Sequence, residues 1–133
     1  MTKTIYKPWG KEVWLALNEK YCYKRIYINK GYRTSLQYHD KKLETNYLIS
    51  GEAWLYIGDN VENLEKKIIK ANDFVTIQPK KIHRIEAITD IILQEVSTPQ
   101  VDDVIRLEDD SNRKSGVIES ENQLPAFCIL TAG

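Results

Sequence analysis

The sequence predicts an all-β protein folded as one barrel or sandwich, and three observations support this fold class. Short runs rich in Val, Ile, Tyr and Trp recur through the first hundred residues, and these residue types favour strands. Turn-forming pairs such as Gly58–Asp59 and Asn72–Asp73 separate the runs. No stretch before residue 98 has the periodicity of an amphipathic helix. Many short strands at turn-punctuated spacing are typical of a closed or double-layered β fold.

The predicted strands can be placed in order along the chain. Residues 7–10, Lys-Pro-Trp-Gly, predict a turn, and residues 61–67 predict a polar hairpin loop. Residues 40–42, Asp-Lys-Lys, predict a tight turn that returns the chain as a hairpin. We predict strands at 12–17, 21–28, 34–39, 47–50, 52–57, from 68 onward, and at 74–77, 83–88 and 91–97.

The length of 133 residues predicts a single domain that buries a sizeable core. Residues 98–133 change character and form a C-terminal extension, first charged and then apolar at 124–130. An apolar tail of this kind docks on its own core or on a second subunit. We therefore expect a homodimer in which strands or tails are shared.

Charge, hydropathy and cysteine usage argue against several classes of function. Lys plus Arg and Asp plus Glu both number 19, so the balance argues against a broad nucleic-acid footprint. No apolar run approaches the ~20 residues that span a bilayer, and no signal peptide opens the chain. We expect a cytoplasmic protein without a membrane partner. Cys22 and Cys128 are predicted to be free, buried thiols rather than a disulfide.

Four residues form a candidate metal site. Gln37 and His39 are two positions apart, so they share a face on an extended strand. The predicted hairpin would bring Glu44 back over that face, and His83, the only other histidine, would face the set across the interior. Taken singly, each side chain is more typical of a hydrogen-bonded histidine or a solvated carboxylate. Together, two imidazoles, a carboxylate and an amide oxygen suit Zn, Mn, Fe, Co or Ni.

The same stretch resembles the first cupin motif, Gly-x5-Gln-x-His-x4-Glu-x6-Gly, with Gln37 in place of its first histidine, and the segment ending at His83 resembles the second. Within the cupins the chain is most similar to the type II mannose-6-phosphate isomerases. The similarity covers residues 6–113 and includes Lys-Pro-Trp-Gly at 7–10, Ser-Leu-Gln-Tyr-His at 35–39, Glu44, His-Arg at 83–84, Glu-Val at 95–96, Asp-Asp-Val-Ile-Arg-Leu-Glu-Asp at 102–109, and Arg113.

The sequence departs from that family around the predicted pocket rather than at the metal ligands. Thr45–Asn46 stands where the family has His-Trp, and Ser111–Asn112 where it has Tyr-Gly. Gln78, Lys80 and Ala87 stand where it has Pro, Gly and Asn. No nucleotidyltransferase domain is expected within these 133 residues, so we expect a free-standing cupin of this type.

The resemblance implies an aldose–ketose isomerase with one divalent metal ion. In such a reaction a Lewis-acidic ion polarises the C1 and C2 oxygens, and a base moves a proton between the two carbons. Glu44 or Asp103 is the predicted base. Arg106 is predicted to stabilise developing charge or, like Arg113 and Arg33, to hold a phosphate. For Arg106 and Arg113, salt bridges with Asp102, Asp103 and Asp109 are an equally favoured alternative.

Two functions therefore stay open. The first is a metal-dependent isomerase or epimerase that acts on a sugar phosphate or a nucleotide sugar, in carbohydrate or surface-polysaccharide precursor metabolism. The second is a non-catalytic cupin that binds a sugar or sugar phosphate as a regulatory partner. A third, an oxygen-using iron cupin, is less favoured because such sites prefer more histidines than the two present.

Overall fold

A computed structural model describes residues 3–116 and residue 118, and they form two antiparallel β-sheets. One 3₁₀ turn, Val61–Asn63, interrupts the strands. The strands are β1 Lys3–Lys7, β2 Gly10–Leu17, β3 Cys22–Ile28, β4 Leu36–Tyr38, β5 Glu44–Ser50, β6 Glu52–Gly58, β7 Glu65–Lys70, β8 Phe74–Ile77, β9 Ile82–Ala87, β10 Ile91–Ser97 and β11 Ile105–Glu108.

The two sheets pack face to face as a flattened barrel, which confirms the all-β prediction. The larger sheet has the order β1-β2-β3-β10-β5-β8, and the smaller one has the order β11-β4-β9-β6-β7. The core lies between them, since Ile28, Leu48 and Leu93 of the larger sheet cluster with Leu55 and Ile85 of the smaller one.

The inward rows of the larger sheet change from apolar to polar along the strands, and this change positions the site. On β3 the buried residues run from Ile28 and Ile26 to Lys24, and on β10 they run from Leu93 to Glu95. Glu95 pairs with Lys24 on one side and with Asn46 of β5 on the other. One end of the barrel is therefore an apolar core, and the other end is a buried polar chamber.

Most predicted strands are present, but three details differ. The chain begins with β1, an unpredicted strand, and β7 starts at Glu65 inside the predicted polar loop. The hairpin expected at residues 40–42 is wrong, because β4 belongs to the smaller sheet and β5 to the larger one. The turn therefore carries the chain from one sheet to the other. Short charged strands such as β7 carry a weak apolar signal, which explains why the sequence missed part of it.

The predicted C-terminal extension begins as part of the barrel. Its strand β11 pairs with β4, with Arg106 opposite Gln37. The apolar stretch 124–130 and Cys128 lie outside the described residues, whereas Cys22 is a buried free thiol as predicted. In the part of the chain that the structure describes, no helix has the length and apolarity needed to cross a bilayer.

Candidate metal centre

Three buried side chains with metal-ligating atoms converge at the polar end of the barrel. His39 follows β4, His83 lies on β9, and Glu44 begins β5. Glu44 Oε1 lies 2.8 Å from His39 Nε2 and 3.8 Å from His83 Nε2, and one ligand atom from each residue lies within 4.8 Å of the others. The two histidines do not face each other across the interior as expected. His83 lies on β9 and His39 directly follows β4, its neighbour in the same sheet, whereas Glu44 begins β5 of the other sheet.

Backbone carbonyls fix the tautomer of both imidazole rings. His39 Nδ1 lies 2.5 Å from the carbonyl oxygen of Asp103, and His83 Nδ1 lies 3.0 Å from that of Lys81. A carbonyl oxygen only accepts, so each Nδ1 carries the proton and donates it. In the neutral rings each Nε2 then presents a lone pair towards Glu44. This arrangement is typical of metal-ligating histidines, whose second nitrogen is held by an outer partner.

Glu44 is held at one oxygen and left without a donor at the other. Asn46 Nδ2 donates to Oε2 at 2.8 Å, whereas the buried Oε1 accepts no hydrogen bond from the described residues. Burial would raise the pKa of Glu44, but the charge of Lys42 is the largest effect in the opposite direction, and the pKa lies well below its usual value. The carboxylate is therefore ionised, with one buried oxygen aimed at two imidazole lone pairs.

This donor set fits a divalent cation. Three electron-pair donors that point at one another inside a protein repel unless a proton or a cation lies among them. Burial lowers the pKa of His83 more than Glu44 raises it, which disfavours the protonated ring there. Two imidazole nitrogens and a carboxylate oxygen suit the first-row metals named above.

Gln37, the predicted fourth ligand, lies beside this cluster. It pairs with His83 across β4 and β9, and it lines the same small cavity of about 80 Å³ as the other three. Its amide nitrogen donates to Ser35 Oγ at 2.8 Å, so that the amide oxygen keeps its lone pairs. Its role as a ligand stays a prediction.

A larger cavity of about 320 Å³ adjoins the metal centre and shares Gln37, His39 and Lys42 with it. Its wall carries more basic than acidic side chains, since the acidic ones are Glu12 and Asp102. The basic ones are Lys3, Lys7, Lys24, Lys42, Arg106 and Arg113. A cavity with this charge favours an anionic ligand that reaches the metal-ligating atoms with its other end.

The sequence reasoning missed two buried ion pairs in these walls. Lys24 Nζ lies 3.2 Å from Glu12 Oε1 and 4.4 Å from the ring centre of Trp14. Lys42 Nζ lies 3.2 Å from Glu95 Oε2. Strand alternation could have found Lys24 and Glu95, because each lies two positions from a core residue on the inward face. Burial and the negative charge of Glu44 raise the pKa of Glu95.

The three predicted phosphate-binding arginines are engaged with protein groups. Arg33 forms a two-pronged ion pair with Asp110 at 2.8 and 2.9 Å and does not line either cavity. Arg113 lines the larger cavity but holds Asp109 in the same two-pronged way. Arg106 also lines that cavity and donates to the carbonyl oxygens of residues 114 and 116. For Arg113, the structure therefore agrees with the alternative prediction of a salt bridge to Asp109.

Asp103, the second predicted base, caps the turn that precedes Glu44. Its carboxylate accepts backbone N–H bonds from residues 40, 41 and 42 at 3.0, 2.7 and 3.1 Å. Burial would raise the pKa of Asp103, but these three bonds outweigh it and lower the pKa. A carboxylate engaged in this way is a poor proton acceptor, and its backbone carbonyl orients His39. Its geometry supports a positioning role.

Comparison of the fold identifies the class of protein. An RmlC-like cupin from Shewanella frigidimarina NCIMB 400 superposes with a TM-score of 0.65 at 22% identity, over 76% of this chain and 86% of the other. Together with the two antiparallel sheets, this similarity shows that the protein has the cupin fold.

The particular family follows from the sequence comparisons. The chain belongs to the family described as Mannose-6-phosphate isomerase C-terminal, whose model matches residues 1–109. Mannose-1-phosphate guanylyltransferase ManC of Salmonella typhimurium is 31% identical over 82% of this chain and 23% of its own length. Xanthan biosynthesis protein XanB of Xanthomonas campestris pv. campestris is 28% identical over 84% and 24%. The chain thus spans about a quarter of the length of these relatives.

Proposed function

We propose that this protein is a metal-dependent isomerase or epimerase that acts on a sugar phosphate of the mannose 6-phosphate type. One observation carries the proposal: three buried, metal-ligating side chains line a small cavity that adjoins a larger one with basic walls. The family membership supports the same chemistry. The xanthan relative supports a place in polysaccharide precursor metabolism.

The residues of the site have distinct tasks in this proposal. His39, Glu44, His83 and Gln37 would hold one divalent ion, which when bound supplies a Lewis acid for the C1 and C2 oxygens of the sugar. The basic side chains of the larger cavity would hold the phosphate at the opposite end, and this orients the sugar. Glu44 is the candidate to move the proton between the two carbons.

The hydrogen bonds made by the two predicted bases support the alternative function, a protein that binds a sugar phosphate without catalysis. Glu44 is held by Asn46, a residue that stands where the resembling family has an aromatic side chain. Asp103 caps a turn. A site with a well-placed cation, an anion pocket and no mobile base would bind a sugar phosphate and release it unchanged.

Hydrogen exchange separates the two functions. Metal-loaded protein incubated with mannose 6-phosphate in D₂O is expected to place deuterium at C2, which NMR detects. Mannose without phosphate is the control and is expected to exchange far more slowly, because it lacks the group that the basic walls hold. Saturable binding of mannose 6-phosphate with no exchange would reject the enzyme and leave the binder.

The metal centre itself is tested by replacing one ligand. His83→Ala is expected to release bound metal and to remove the rise in melting temperature that metal gives the wild-type protein, since binding is linked to folding. Arg33→Ala is the matched control, because Arg33 pairs with Asp110 outside both cavities. An unchanged metal content of His83→Ala by elemental analysis would reject the site.

A further inference from the structure

Lys42 is a buried cation beside the candidate metal centre, and it lies at the metal end of the cavities rather than at the end proposed for the phosphate. Its side chain is 6% exposed. Its ammonium lies 3.2 Å from Glu95 Oε2 and 3.9 Å from Glu44 Oε1. The ammonium thus lies between two buried carboxylates, and this position stabilises its positive charge.

Lys42 faces Glu44 Oε1, which is also the oxygen atom that would bind the metal ion. Glu44 Oε1 points at both imidazole Nε2 atoms and lies nearer to His39 and His83 than to Lys42. At 3.9 Å the ammonium is too far away for a hydrogen bond but close enough for a strong charge interaction in a buried setting. A divalent ion at this oxygen would therefore lie a few ångströms from a fixed positive charge.

We propose that Lys42 is a built-in counter-ion of the metal centre, which stabilises the metal-free protein and weakens the binding of the divalent ion. This inference rests on the metal centre of the proposed function. The buried carboxylate of Glu44 needs a compensating charge, and Lys42 provides one in the absence of metal. When metal binds, the compensation becomes repulsion between like charges. The ion pair with Glu95 fixes the ammonium of Lys42 in place. The ammonium therefore cannot move away from a bound metal ion without breaking its ion pair with Glu95.

Removing the charge of Lys42 should therefore change two quantities in opposite directions. In Lys42→Met the melting temperature of the metal-free protein is expected to fall, because Glu44 and Glu95 lose their shared cation. The dissociation constant for Zn²⁺ is expected to decrease by about tenfold or more, since the nearest positive charge is gone. A chelator-competition titration of metal-free protein measures the constant, and a thermal melt without metal measures the stability.

The chain offers a matched control and two further variants. Lys24 is equally buried and lines the same cavities, but it pairs with Glu12. Lys24→Met should also lower the melting temperature, while its Zn²⁺ dissociation constant stays within about twofold of wild type. Lys42→Arg keeps the charge and is expected to keep the wild-type affinity. Lys42→Gln removes the charge and keeps a donor for Glu95, so it replaces Lys42→Met if that variant does not fold.

The outcomes separate this inference from the proposed function. If wild-type protein binds Zn²⁺ but neither Lys42→Met nor Lys42→Gln binds it more tightly, the counter-ion role of Lys42 is rejected. The metal centre of the proposed function is then still supported. Wild-type protein that binds no Zn²⁺, Mn²⁺ or Co²⁺ would reject both. Equal tightening in Lys24→Met would show that only the overall charge of the cavity matters, which also overturns the role of Lys42.

Discussion

At the scale of single residues, the inward positions of β3 and β10 carry charges where a core strand ordinarily carries apolar groups. Lys24 and Glu95 are each about 5% exposed, and both are paired with side chains of opposite charge. Burying unpaired charges costs several kcal/mol, so these residues remain inside only because their partners lie beside them. The polar chamber thus depends on local pairing, and its stability should depend on pH.

Glu12 provides the clearest pH test. Burial would raise its pKa, but Lys24, Lys7 and the indole of Trp14 outweigh it and lower the pKa to about 2 from 4.5. A depressed folded-state pKa adds stability above pH 4.5 that is lost as pH falls towards 2. We expect Glu12→Gln to lower the free energy of unfolding by about 3 kcal/mol at pH 7. The difference from wild type should shrink as pH falls from 4.5 to about 2.

Urea unfolding at a series of pH values measures this difference. Glu19→Gln is a suitable control because Glu19 is an exposed carboxylate in the turn before β3, and it should not alter the pH profile. A constant gap between wild type and Glu12→Gln from pH 7 to pH 2.5 would contradict the pairing of Glu12 with Lys24.

At the scale of elements, two crossings between the sheets position the ligands. The turn at residues 40–42 is capped by Asp103 and takes the chain from His39 to Glu44. Gly51 is the single residue between β5 and β6, which belong to different sheets. Its φ of +90° lies in the left-handed region, and a Cβ there would lie 2.4 Å from the carbonyl oxygen of Asp90. Both crossings are therefore held by contacts with residues that are distant in sequence, Asp103 and Asp90.

Gly51→Ala is expected to destabilise the protein by about 3 kcal/mol or more, because it combines left-handed strain with a clash against fixed backbone. Gly31→Ala is the matched control. Gly31 has a similar φ of +83°, but nothing lies within 4 Å of its added Cβ, so that only strain of about 1 kcal/mol is expected. Chemical denaturation of both variants measures the costs, and equal costs would show that the clash is relieved without penalty.

At the scale of the whole molecule, the outer face formed by β3, β10, β5 and β8 differs in charge from the outer face of the smaller sheet. The outward residues of β3, β10, β5 and β8 include one charged side chain, Arg25, and several exposed apolar ones. Among these, Phe74 is 72% exposed and Val96 is 49% exposed. The outer face of β6, β7 and β9 carries Glu52, Lys66, Lys70, Arg84 and Glu86. A nearly uncharged face can meet its own copy without bringing like charges together.

We expect the homodimer predicted from the sequence to form through this outer face of the larger sheet. Val96→Asp is expected to give a monomer, because it would place a desolvated charge at the contact. Ile68→Asp is the control, since Ile68 is similarly exposed at 44% but lies on β7 of the other sheet. Light scattering at micromolar concentration measures the mass, and a monomeric wild-type protein would reject the dimer.

The sequence by itself determined the fold class, most of the strands and the identity of the candidate ligands. Strand and turn signals are local, and the spacing of Gln37, His39 and Glu44 lies within one short stretch. The family resemblance rested on short motifs spread over residues 6–113, and the family match confirms it. These features depend on neighbours in sequence, so that one sequence suffices to find them.

Only the tertiary structure decided how those residues meet and what surrounds them. It placed His39 and His83 on one sheet and Glu44 on the other, because strand order is set by contacts between distant segments. It paired Arg33 and Arg113 with nearby carboxylates and brought Lys24 and Lys42 into the cavity walls. From sequence alone, a lysine in a predicted strand is assumed to be exposed to solvent, because its buried partner is not known. The partner comes from another strand, which no local pattern reveals.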